Sequence, residues 1–269
     1  MNDEKSDPER QTAQNPEDAI NAAGPGALRG QVWLTVQTRQ AQRLIRGRNA
    51  TAEKPAIIGL VGFADRLRVI WQAARNDDAY ADWWLVKVHD ALERIRERIR
   101  VEQATLDAQF EQPSALEVTV AESIKPYRIA LQFANPYAYR GAQLIAEYDT
   151  FVRTLLTAQH VGLLGNPAMQ SLLNANARKI RGTFALVQGY HFLGIDRAAL
   201  KQGNANASRA QKTMGKVPED ILNGTHQAPL VPRKVRFPEA AGIHIDLEPV
   251  ESTPAAAIVP MLKDDIGSI

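Results

Sequence analysis

Residues 31–48 read QVWLTVQTRQAQRLIRGR. Val32, Leu34 and Val36 alternate with Gln31, Trp33, Thr35 and Gln37. A period of two carried by β-branched residues is the mark of a strand with one buried face. Thr38 then stands at the N-cap of a short helix over 39–46, whose inward stripe is Ala41, Leu44 and Ile45. Gly47 and Asn49 close that helix. After a loop to Pro55, a second helix is expected over about 56–75, with Ile57, Leu60, Val61, Ala64, Leu67, Trp71 and Ala74 along one face.

Strand, short helix, second helix is the order of a ribbon-helix-helix module. In that module one strand from each of two chains pairs antiparallel, and the two-stranded ribbon fits the major groove of DNA. The inner strand face must be apolar, which Val32, Leu34 and Val36 satisfy. The outer face must offer hydrogen-bonding side chains to base edges, and Gln31, Trp33, Thr35 and Gln37 occupy it. Glutamine bonds adenine bidentately, and threonine bonds a base or touches a thymine methyl. Trp33 is large for a groove and has two alternatives, stacking on sugar or packing against the body. Arg29, Arg39, Arg43, Arg46 and Arg48 would meet phosphates and make affinity salt-dependent. The plainer reading is an ordinary half-buried strand in an α+β core with the arginines on its wet side. A second strand candidate, Arg128–Phe133, precedes helices in the same order, so the reading strand is either 31–37 or 128–133.

Outward from this unit the chain is mainly helical with a few short strands. A long helix over 79–110 carries Ala81, Leu85, Val88, Leu92, Ile95, Ile99 and Leu106 at steps of four and three, a seam interrupted where Glu102 takes a place in it. The charge run Glu93–Arg98 reads as a solvated face with pairs of the Asp90–Arg94 type. Leu116–Val120 is a further strand candidate. Asn135-Pro136 opens a helix to about 161 with Leu144, Tyr148, Phe151 and Leu155 inward. Another over 168–188 turns Met169, Leu173, Ile180, Phe184 and Val187 inward and Arg178, Lys179 and Arg181 outward. A last short helix covers 196–202. Asp77-Asp78 reads as a helix stop.

Residues 1–26 are polar and acidic and end in Gly24-Pro25-Gly26, the composition of a disordered leader. The frequent prolines from 203 to 269 forbid long helices, so this stretch is expected to be a loose tail, with VRFP and IHIDL as possible short strands. The helical body is then 27–202, with the strand-helix-helix unit at about 29–75.

The 269 residues carry a net charge of +2, but the charge is segregated. Residues 1–23 hold six acids and two bases, whereas 29–48 hold five arginines and no acid. Residues 176–216 hold eight bases and only Asp196, and 239–269 hold six acids against Lys263. Acidic ends thus flank a body with two basic blocks, a pattern that suits contact with phosphate. Arg178, Lys179, Arg181, Arg197, Lys201, Arg209 and Lys212 form a second surface open to that role or to plain solvation.

The chain has no cysteine, which excludes a disulfide scaffold, a thiol nucleophile and cysteine-bound metal. The five histidines show no metal-ligand spacing, and no P-loop, dinucleotide fingerprint or nucleophile elbow occurs. No enzyme, metal or cofactor is expected. There is no apolar run long enough to span a bilayer and no secretory leader, so no membrane role and a cytoplasmic address are expected.

The runs RGQVWLTVQTRQAQRLIRGR, IIGLVGFADRLRVIWQAA and NDDAYADWWLVKVHDALE resemble the AcaB-like proteins of integrating conjugative elements and conjugative plasmids. The resemblance covers about 27–200. It implies a ribbon-helix-helix DNA-binding protein that regulates transcription of conjugative transfer genes, with Gln31, Trp33 and Thr35 in the base-reading positions. The expectation is a cytoplasmic homodimer bound to double-stranded DNA. The rival is a helical scaffold of the transfer machinery that holds partners and does not read DNA.

Overall fold

The structure is a computed structural model that describes residues 32–110 and 118–235. The leader at 1–26, Arg29, Gln31 and the segment from 236 onward, with IHIDL and most of VRFP, lie outside the described residues. Eight α-helices, one 3-10 turn and two strands are formed among the described residues.

Strand β1 (Val32–Val36) precedes helix α1 (Arg39–Arg46). The Thr38 side chain accepts the Ala41 amide, as an N-cap should, and Ala41, Leu44 and Ile45 are the buried stripe. Helix α2 spans Leu60–Arg75. Its start is four residues later than the pattern implied, because Ile57 is held in an isolated antiparallel bridge with Arg48 that closes the intervening loop. The buried face of α2 is also rotated from the expected one. Leu60, Phe63, Leu67, Ile70 and Ala74 are buried, while Val61, Ala64 and Trp71 are half-buried. Phe63 takes the inward place because its ring stacks on Phe184, with centroids 4.7 Å apart.

Helix α3 (Ala79–Phe110) forms the spine, and every expected seam residue from Ala81 to Leu106 is buried. The odd Glu102 is satisfied by Asn176, whose side-chain amide donates to it at 2.5 Å, and by Arg98 at 2.8 Å. Glu93–Arg98 is more than a solvated face. Arg96 reaches Glu147, and Glu93 accepts from Arg140, both on the neighbouring helix α4 (Pro136–His160). The two aspartates of the three-residue joint before α3 have divided roles. Asp77 takes φ 60 and turns the chain, and Asp78 caps α3 by accepting the amides of Tyr80 and Ala81.

Strand β2 (Tyr127–Leu131) lies between α3 and α4. The expected strand at 116–120 is not formed over 118–120, and its first residues lie outside the described ones. Helix α5 (Asn166–Ala185) is followed by the 3-10 turn Leu186–Gly189. Helix α3 packs most extensively on α4, and α5 lies against both. Leu144, Tyr148, Phe151, Leu155, Ile180 and Phe184 meet there in the core.

The body does not end at 202. Helix α6 (Arg197–Gln202) is followed by α7 (Ala205–Met214) and α8 (Glu219–Leu222). Ala207, Ala210, Met214, Val217, Ile221 and Ala228 are buried, so 203–234 is part of the packed unit and not loose tail. The prolines permit this because Pro218 sits at the N-cap of α8 and none falls inside a helix of this segment. Tyr80 donates to the Gly215 carbonyl at 2.9 Å, and the Leu230 amide donates to the Tyr137 hydroxyl at 3.2 Å. Lys234 ends the segment on Asp82 and Asp77.

Candidate nucleic-acid interface

The two strands that competed for the reading role are the two halves of one ribbon. β1 pairs antiparallel with β2 of the same chain, with Val32 opposite Leu131, Leu34 opposite Ile129 and Val36 opposite Tyr127. The expected partner of β1 was a twin strand from a second copy, and β2 occupies one edge of β1 instead. Loop closure through α3 is what brings this second strand from the same chain.

The pleat sorts the side chains as a half-buried ribbon requires. Leu34, Val36 and Leu131 are buried, and Tyr127 and Ile129, opposite Val36 and Leu34 on the same face, are half-buried. Val32, expected inward, is 37% exposed, because it lies at the frayed end of the strand. Trp33, Thr35, Arg128 and Ala130 share the open face, with Trp33 opposite Ala130 and Thr35 opposite Arg128. Trp33 is 48% exposed, and the Arg128 guanidinium lies over its ring, 4.3 Å from the centroid.

The junction of β1 and α1 is pinned from beneath. The buried Asp149 carboxylate accepts the Gln37 amide at 2.7 Å, the Thr38 amide at 2.9 Å and the Thr38 hydroxyl at 2.6 Å. Gln37 lies past the last residue of β1, and its side-chain oxygen accepts the Ser123 amide at 3.0 Å. It therefore serves the loop before β2 and leaves the reading set.

The arginines divide into groups. Arg39 and Arg43 are exposed on α1, a helix with no acidic residue. Arg46 donates to the Tyr127 hydroxyl at 3.2 Å and lies over that ring, tying α1 to the ribbon. Arg48 donates to the Pro55 carbonyl at 3.0 Å. None of the four has an acidic partner among the described residues. Arg43 and Arg48 also face Arg181 of α5 across a pocket of about 380 Å³, which joins the two basic blocks of the sequence in space. Arg128 lay outside the first choice of reading strand, and Arg181 was expected only on a separate basic surface. Arg128 stood in the rival strand, and the proximity of Arg181 to α1 depends on helix packing that no local pattern encodes.

Arg197, from the same basic block, is a structural residue. It ties Asp77 and the buried Asp82 to the α8 carbonyls of Ile221 and Leu222. Burial pushes the Asp82 carboxyl up despite the charges of Lys234 and Arg197. Burial likewise raises Asp78, against the hydrogen bond from Tyr190. Among the described residues no group of three or more His, Asp or Glu is placed to hold a metal. No helix there is long and apolar enough to cross a membrane.

The described residues thus form a helical body with an open ribbon face beside arginines that have no acidic partner there. The family profile described as "Transcriptional regulator AcaB" matches residues 24–234, and the chain belongs to this family of transcriptional regulators. The matched span ends where the compact unit ends, at Lys234. Among solved structures, the crystal structure of selenomethionine-containing AcaB from uropathogenic E. coli is similar at a TM-score of 0.48 and 13% identity, over 74% of this chain and 97% of that one. No curated protein matches the sequence.

Proposed function

We propose that this regulator acts by binding double-stranded DNA in a sequence-specific manner, with the outer face of the β1–β2 ribbon in the major groove. The observation that carries the reading is the open face itself. Trp33, Thr35, Arg128 and Ala130 are bare on one side of a two-stranded ribbon whose other side is held on the helices. A two-stranded ribbon fits the major groove, where arginine pairs with guanine and threonine meets a base or a thymine methyl. Arg39, Arg43, Arg46 and Arg48, with Arg29 and Gln31 ahead of the ribbon, supply phosphate contacts and a further reader. The transfer genes of a conjugative element are the proposed targets, and the active form is a homodimer in which each copy brings its own intrachain ribbon to one half-site.

The test is binding of the full chain to duplexes from the element's promoters and to random duplexes at two salt concentrations. Thr35→Ala and Arg128→Ala should each cost about 1–3 kcal/mol at one base position and little on random DNA. Arg39→Ala should weaken both classes alike. Equal effects of the ribbon variants and Arg39→Ala on both duplex classes would remove the ribbon as the reader.

A further inference from the structure

The geometry points to a phosphoryl-binding seat between α1 and α5, walled by Arg43, Arg48 and Arg181 over a floor of Leu44, Ile57 and Ile58. The guanidinium groups come from three separate places in the chain: the α1 helix, the turn after it, and α5. No acid lines the pocket, and neither α1 nor α5 contains an Asp or Glu. Converging like charges with no internal counterion repel one another and concentrate positive potential in a concave space. An anion relieves that repulsion, and guanidinium forks match the oxygens of a phosphate.

The seat is built on a braced backbone. Gly47 takes φ 71, and a Cβ there would come within 2.2 Å of the Ile57 carbonyl oxygen. Arg48 and Ile57 exchange backbone hydrogen bonds at 2.8 Å in both directions. The turn that carries Arg48 is thereby locked against the strand-like segment that supplies the floor. The Arg48 side chain is held by the Pro55 carbonyl through one Nη, which leaves its other donors available. Arg181 is half-buried, so its position is set by packing in α5. The pocket on the opposite flank of α5 differs. It too carries cationic residues, Arg94, Arg98 and Lys179, but Arg98 there is already neutralised by Glu102.

A phosphoryl group reaches such a seat from either of two sources, the backbone of a bound duplex or a free phosphate ester. The first source rests on the DNA reading above, and the second does not. The pocket volume lies near the lower end of the range for small-ligand sites, so a phosphate with its attached sugar is accommodated.

The experiment uses the full chain and the variants Arg181→Gln and Arg43→Gln, with Arg100→Gln as a charge-matched control on the exposed side of α3, outside the pocket lining. Duplex affinity is measured by anisotropy over a salt series, and inorganic pyrophosphate is titrated by calorimetry. With a backbone phosphate in the seat, Arg181→Gln and Arg43→Gln each bind all duplexes about tenfold more weakly. Their slope of log affinity against log salt is then shallower by about 1 than that of the Arg100→Gln control. With a free phosphate in the seat, pyrophosphate binds the parent chain saturably and is lost in both pocket variants, while the duplex affinity of Arg181→Gln matches the control. If Arg181→Gln and Arg43→Gln match Arg100→Gln in both assays, the seat is refuted, and the DNA reading stands or falls on the parent's own duplex binding. A parent that binds pyrophosphate through Arg181 but binds no duplex keeps the seat and loses the DNA reading. Arg43 is exposed, so its variant carries the test through the pyrophosphate titration should Arg181→Gln fail to fold.

Discussion

The Arg128 guanidinium lies over the Trp33 ring at 4.3 Å from its centroid, diagonally across the β1–β2 ribbon. This contact accounts for a tryptophan on a strand face open to solvent. The ring is a platform that holds a long cationic side chain extended along the ribbon instead of leaving it to sample solvent. Exposed cation–π pairs contribute about 0.5–1 kcal/mol. A double-mutant cycle of Trp33→Ala and Arg128→Ala in urea unfolding should therefore return a coupling of that size. A coupling indistinguishable from zero would show that the two side chains act independently.

Asp149 decides how the ribbon hands over to α1. Its carboxylate is 4% exposed and accepts three hydrogen bonds from Gln37 and Thr38. Replacing it with alanine leaves two backbone amides and a hydroxyl without their acceptor beneath the ribbon. Hydrogen bonds to charged groups are individually worth about 1.5–3 kcal/mol and do not simply add. Asp149→Ala should lower unfolding stability by about 3 kcal/mol, with Asp149→Asn losing less because one oxygen is kept. Hydrogen exchange of the Gln37 and Thr38 amides should rise in Asp149→Ala. Unchanged protection at those two amides would contradict the anchoring role.

The strand at 32–36, the Thr38 cap and the α3 seam were legible because each is a local pattern whose period survives in the fold. The pairing of β1 with β2 was not, since register between strands separated by a long helix leaves no local trace. Proline frequency predicts looseness after 203, yet Pro218 lies at a helix cap, where proline's lack of an N–H costs nothing. The α2 face was set by counting apolar spacing, and the stacking of Phe63 on Phe184 chose a different face. Arg197 looked like one more surface base. Its carboxylate partners, Asp77 and Asp82, lie more than a hundred residues away, so no local pattern marks the charge as already paired.

Removing that arginine should be severe. Arg197 is 12% exposed and Asp82 only 2%, so Arg197→Ala leaves a buried carboxylate with Lys234 as its remaining partner among the described residues. Breaking one side of a buried pair costs about 3–5 kcal/mol. The α8 carbonyls of Ile221 and Leu222 lose their donor as well. The expected result is early release of the 203–234 segment, read as proteolytic cleavage there before global unfolding. Wild-type resistance to cleavage in Arg197→Ala would overturn this account.

Asp78 gives the same region a defined response to pH. Burial holds its carboxyl above the usual value of 3.8, against the Tyr190 hydroxyl and the Tyr80 and Ala81 amides, with the Asp82 charge adding to the rise. The folded state therefore binds more proton than the unfolded state above pH 3.8, and this contribution to stability is lost as pH rises through the folded value. Asp82 acts in the same sense, raised by burial. Asp77 acts in the opposite sense. Burial raises it, but Lys234 and Arg197 more than offset that and hold it low, so its stabilisation is present above 3.8 and lost as pH falls through its lowered value. In urea unfolding from about pH 3 to pH 7, the stability of the parent relative to Asp78→Asn should fall with rising pH and then level. A difference that stays flat from 3.8 upward would sink the assignment to Asp78.

Gly47 and Gly162 differ in what a side chain would meet and in what the backbone would tolerate. Both have positive φ, 71 and 80, but a Cβ at Gly162 would meet nothing within 4 Å. A Cβ at Gly47 would strike the Ile57 carbonyl oxygen at 2.2 Å and the Gly59 nitrogen at 2.6 Å. Gly162→Ala should cost the left-handed conformation alone, about 1–2 kcal/mol. Gly47→Ala must in addition leave a backbone conformation of φ 71 and ψ −150 that is essentially reserved for glycine, part the turn from residues 57–59 and break the paired hydrogen bonds of Arg48 and Ile57, so it should cost at least about 1 kcal/mol more. Because Arg48 rides on that turn, Gly47→Ala should also reproduce the binding loss of a pocket arginine while Gly162→Ala does not. Equal stability losses in the two variants would mean that the backbone contact between 47 and 57–59 does not brace the arginine wall.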